Sequence, residues 1–78
     1  MCLYSLDFID RSGRRLRRRD VEAPNVSFAL AMANRELHSL LRSADRRTVD
    51  LKGRVDLMDE GGAPVARIYC ADALIAMS

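Results

Sequence analysis

Apolar and polar positions alternate from the start of the chain. Tyr4, Leu6 and Phe8 fall on one side of an extended backbone and Leu3, Ser5, Asp7 and Ile9 on the other, which predicts a strand from Cys2 to Asp10. Asp10-Arg11-Ser12-Gly13 then offers an acid for the first position of a type I turn and a glycine where a left-handed residue closes a bulge. A second strand, from about Arg14 to Glu22, completes a hairpin. Pro24 stops it and Asn25 can cap a helix. From Val26 the apolar positions Val26, Leu30, Ala33, Leu37, Leu40 and Ala44 are spaced by threes and fours, with Ala29 and Leu41 widening the stripe. That spacing predicts an amphipathic helix, with Phe28 and Met32 beside its main stripe. Ala44 to Lys52 breaks the period and reads as helix end and loop. Alternation returns from Gly53 to Asp59, the turn logic repeats in Asp59-Glu60-Gly61-Gly62, and Val65 to Cys70 closes a second hairpin. Ala71 to Met77 has room for one helical turn.

The two hairpins share a pattern. Leu6 to Leu16 reads LDFIDRSGRRL and Val55 to Val65 reads VDLMDEGGAPV, both following apolar, Asp, apolar, apolar, Asp, and then a Gly three residues on. A repeated D-x-x-D spacing raises the question of a metal site. Residues three apart on a strand point to opposite faces, so neither Asp7 with Asp10 nor Asp56 with Asp59 converges on one ion. Asp10 and Asp59 read instead as turn formers. Only a site shared between the hairpins, for instance one using Asp7 with Asp56, stays open. The predicted fold is α+β, one domain over residues 1–78, ordered β-β-α-β-β, with an antiparallel sheet of two hairpins and one amphipathic helix packed on one face.

Length and charge narrow the function. A chain of 78 residues buries only roughly 60% of the surface that its unfolded form exposes, so stability is thin and oligomerisation is the natural supplement. Cys2 and Cys70 lack zinc-ligand company and are expected to be reduced thiols. Charges begin at Asp7, before any run long enough for a secretory signal, and no stretch reaches the ~20 apolar residues that span a bilayer. A cytoplasmic protein without membrane contact is expected. The net charge of +2 conceals six arginines between Arg11 and Arg19, with no acid among them, so the rest of the chain is net acidic.

The chain also resembles an uncharacterised family of bacterial proteins of similar length, catalogued only as a domain of unknown function. The matching features are the aromatic first strand ending in acids (Tyr4, Asp7, Asp10), the turn glycine Gly13, an acid and proline before the helix (Glu22, Pro24), the Ala/Leu-rich helix, and a late V-x-L-x-D-E-x-G strand and turn (Val55, Leu57, Asp59, Glu60, Gly62). The resemblance implies a compact α+β domain and carries no activity, cofactor or catalytic residue. One departure is the second strand, commonly acidic in that family and RRLRRRD here.

No enzyme motif appears. His38, the only histidine, sits between Arg35 and Arg42 on the polar side of the helix, without a nucleophile or base to align with it. Gly61-Gly62 belongs to a turn rather than to a phosphate loop. No catalytic residue, cofactor or metal ligand is expected. Two surfaces remain. If the helix covers the Leu6 and Phe8 face, then Leu3, Ile9, Met58, Val65 and Tyr69 are left on the other, as a patch for a second copy or another protein, unless Leu74 and Ile75 fold over it. The alternative is a polyanion surface. Arg15, Arg17 and Arg19 project to one side of an extended strand, and Arg35, Arg42 and Arg46 line the helix, which suits weak nucleic-acid binding by charge without a recognition motif. The preferred reading is a non-enzymatic, self-associating interaction module; a basic nucleic-acid-binding accessory protein is the alternative.

Overall fold

A computed structural model describes residues 1–43 and 49–77. Six elements follow in order: β1 (Cys2–Ile9), β2 (Arg15–Ala23), α1 (Val26–Arg42), β3 (Arg54–Met58), β4 (Pro64–Tyr69) and α2 (Cys70–Met77). The strands form one antiparallel sheet in the order β2-β1-β3-β4. The α+β class and the two hairpins are as the alternation predicts. The C-terminal segment goes further than one turn: the last strand stops at Tyr69, and α2 takes up the eight residues from Cys70.

The hairpins are built alike because their turns are. In the first, the Asp10 carboxylate accepts from the Ser12 and Arg14 backbone N–H groups at 2.9 Å, and Gly13 N–H donates to the Asp10 carbonyl at 3.0 Å. In the second, Asp59 accepts from Ala63 N–H at 2.9 Å, and Gly62 N–H donates to the Asp59 carbonyl at 3.0 Å. Gly13 and Gly62 have φ of 91° and 82°, where a Cβ is strained. Each hairpin then carries a bulge at the equivalent place, beside Ile9 in one and Met58 in the other.

The likeness extends to the whole sheet. Adding 49 to any paired residue of the β1–β2 ladder from Leu6 to Ile9 gives a pair of the β3–β4 ladder: Asp7↔Arg18 becomes Asp56↔Arg67, and Ile9↔Arg15 becomes Met58↔Pro64. The β1–β3 ladder maps onto itself about its central pair, Asp7↔Asp56. The two hairpins are therefore related by a local two-fold axis normal to the sheet at those two acids.

One face of the sheet holds the core. Tyr4, Leu6, Phe8, Val21, Val55 and Leu57 pack with Ala29, Ala33, Leu37 and Leu41 of α1, and Cys70 and Ala73 bring α2 against the same cluster. Asn25 caps α1, its side chain accepting from Phe28 N–H at 2.8 Å. The buried ridge of α1 runs along every fourth residue. It is the Ala29 and Leu41 side of the predicted stripe, with Leu30 and Leu40 only partly buried and Val26 exposed; of the two residues beside the stripe, Met32 packs partly against the core and Phe28 is exposed. Alanines set this orientation, because a ridge begun by Ala29 and Ala33 lets the helix approach the sheet closely. Gly53 fixes another close approach: a Cβ there would lie 2.1 Å from the Ile9 carbonyl oxygen.

Candidate interaction surface

On the face away from α1, cross-strand partners bring four charges into a row, Arg18–Asp7–Asp56–Arg67, one from each strand. Side chains directly opposite one another share a face, so the register alone dictates the row. Arg18 grips Asp7 with two bonds, Nε to Oδ1 at 2.7 Å and Nη2 to Oδ2 at 3.0 Å. Arg67 Nε donates to Asp56 Oδ1 at 2.9 Å, and Arg54 adds a second guanidinium at 3.2 Å. Asp7 and Asp56 are only 7% and 9% exposed. Two nearly buried carboxylates side by side would repel strongly, and the three guanidiniums turn that repulsion into a network. The hydrogen bond and charge of Asp7 raise the Arg18 guanidinium above its ordinary value.

This row gives the shared carboxylate pair of the two hairpins its physical meaning. The acids do meet across the two-fold, but arginines occupy their acceptor sites. Among the described residues no group of three or more His, Cys, Asp or Glu side chains could hold a metal ion.

The apolar residues expected on this face are divided by the charged row. Leu3 and Met58 lie toward one end, with Val65 in the bulge opposite Met58; Ile9 and Tyr69 lie toward the other, flanking Arg54. Leu3, Val65 and Tyr69 are 42%, 38% and 49% exposed, whereas Ile9 is buried. They form an apolar rim around a charged centre rather than one continuous patch. Leu74 does not fold over this face, because α2 packs beside α1 and against β4 on the core side, with Leu74 on the core cluster.

The arginine run is largely engaged within the molecule. Arg11 binds Asp50 through two side-chain bonds of 2.9 and 2.8 Å, Arg19 binds Glu36 of α1 at 2.6 Å, and Arg17 lies 5.8 Å from the Phe8 ring centre. Arg14 and Arg15 have no ion pair among the described residues. The three-residue row Arg15, Arg17, Arg19 does not form. The bulge puts Arg15 opposite Ile9, on the other face from Arg17 and Arg19. On α1, Arg35, His38 and Arg42 line one shallow depression with Asn34 and Ser39. Arg46 lies outside the described residues.

Sequence reasoning did not single out Arg54, Arg67 or Gly53. The repeat held a signal for one of them, since the 49-residue offset superposes Arg67 on Arg18.

The two sheet edges differ in chemistry. β2 carries four arginines and two acids in nine residues, while β4, Pro-Val-Ala-Arg-Ile-Tyr, has one charge, already bound to Asp56. Comparison with protein-family models, curated proteins and solved structures finds no match to this chain. Among the described residues no helix is long and apolar enough to cross a membrane.

Proposed function

We propose that this protein is a non-enzymatic interaction module that associates with itself through its sheet. The observation that carries the reading is the pair of unlike sheet edges, one heavily charged and one nearly neutral with exposed Val65 and Tyr69 beside it. A free edge presents unpaired N–H and C=O groups, and folds that must stay monomeric blunt such edges with charge. β2 is blunted in that way; β4 has only Pro64 and its bulge. The thin core of a 78-residue chain adds to the advantage of pairing.

The second reading, polyanion binding, rests on the helix rather than on the arginine strand. Arg35 and Arg42 have no ion-pair partner among the described residues and flank His38 in one depression. Titrating labelled random DNA and RNA with the protein at low and at physiological salt, beside sedimentation of the protein alone, separates the readings. The proposed module sediments above the monomer at micromolar concentration without nucleic acid. Nucleic-acid binding that persists at physiological salt by a monomeric protein would overturn it.

A further inference from the structure

We infer that the self-association runs through β4, two copies pairing this strand antiparallel about a molecular two-fold to continue the four-stranded sheet into one of eight. The inference rests on the interaction-module reading and specifies its surface. Three edge pairings are available to a four-stranded sheet whose ends are β2 and β4. Pairing β2 with β2 of another copy joins two strands that are each net positive, with four arginines and two acids in nine residues. Like charges directly opposite on paired strands are destabilising. Pairing β4 with β2 is head-to-tail, so it never ends at a dimer: it builds a ring where the rotation closes and an open fibre where it does not. Pairing β4 with β4 closes about a two-fold without bringing two arginine-rich strands together, and it uses up the near-neutral edge of both copies.

The chemistry of β4 suits this partner. Val65, Arg67 and Tyr69 share the face away from the helices, and Ala66 and Ile68 face the core side, where they already pack partly against the cluster. In an antiparallel pair centred on Arg67, Val65 of each copy lies opposite Tyr69 of the other, and Ala66 lies opposite Ile68. A β-branched residue beside an aromatic is among the favourable cross-strand pairs. The two central guanidiniums stay tied to the Asp56 carboxylates, at 2.9 Å in each copy. The dimer repeats on a larger scale what the chain already does, because β1 and β3 join the two hairpins about a two-fold in the same antiparallel manner.

Amide hydrogen exchange on the full chain, at concentrations below and above the association midpoint from sedimentation, tests the surface. The expected result is concentration-dependent protection of the amides from Val65 to Tyr69, unchanged exchange in β2, and a midpoint at least about tenfold higher in V65K/Y69K. Both positions are exposed, so the double variant keeps its core, which circular dichroism verifies. Association with protection in β2 or α1 instead would overturn the β4 assignment and leave self-association standing. A monomer at every concentration would overturn both.

Discussion

Asp7 and Asp56 face one another across β1 and β3, and each is held by the arginine of the outer strand of its own hairpin, Arg18 and Arg67. The local two-fold passes between them. The arrangement is symmetric in register but not in strength, because Asp56 has Arg54 as a second donor and Asp7 has Arg18. Arg18→Gln should therefore destabilise the fold, by leaving a nearly buried carboxylate beside another. Arg67→Gln should cost clearly less. Denaturant unfolding measures both, and replacing Asp7 by Leu in the Arg18→Met background should restore most of the loss. Equal losses for Arg18 and Arg67 would show that Arg54 does not share the load.

The glycines separate two physical causes. At Gly13 and Gly62 a Cβ meets nothing within 4 Å, so alanine there strains only the backbone and should destabilise by about 1 kcal/mol at each site. At Gly53 the same Cβ collides with the Ile9 carbonyl, so Gly53→Ala should be the most damaging of the three. Thermal unfolding of the three variants orders them, and a mild Gly53→Ala would contradict the close approach.

Asp50 provides a pH signature. Its carboxylate takes the Arg11 side chain and the Arg11 and Lys52 backbone N–H groups, which hold it well below the usual carboxylate range. A depressed folded value means that its stabilisation is complete above the unfolded value near 3.8 and is lost as pH falls below it. Asp10 is also lowered, first by the Ser12 hydroxyl and then by the Arg14 backbone N–H, and acts in the same window. Asp50→Asn should thus be less stable at neutral pH and show a shallower loss on acidification than the parent. Parallel acid-unfolding curves would contradict this.

The thiols should differ sharply. Cys2 is exposed, while Cys70 is 2% exposed with its thiol raised by burial. A thiol reagent should modify Cys2 in the folded protein and Cys70 only on unfolding, as peptide mapping would show.

What could be read from the sequence was local. The turns were legible because Asp10 with Gly13, and Asp59 with Gly62, carry their own instructions. The presence of α1 was legible from its period. Its buried ridge lay within the predicted stripe, but which of that stripe's residues would face the sheet was not legible, because the small side chains of Ala29 and Ala33 make contact only once a sheet lies beneath them. The bulge at Leu16 displaced Arg15 from the predicted row, since strict alternation holds only for an unbroken ladder. The apolar face was anticipated as one surface, yet the same alternation had placed Asp7 and Asp56 within it. Following the 49-residue offset beyond the turns would have found the Arg18 and Arg67 that pair with them.

Whether this sheet pairs with that of another copy is decided by sedimentation equilibrium of the unmodified protein from low to high micromolar concentration at physiological salt. Reversible association that stops at the dimer is expected, because β4 with β4 closes. A monomer throughout, or mass that grows without limit, would contradict it.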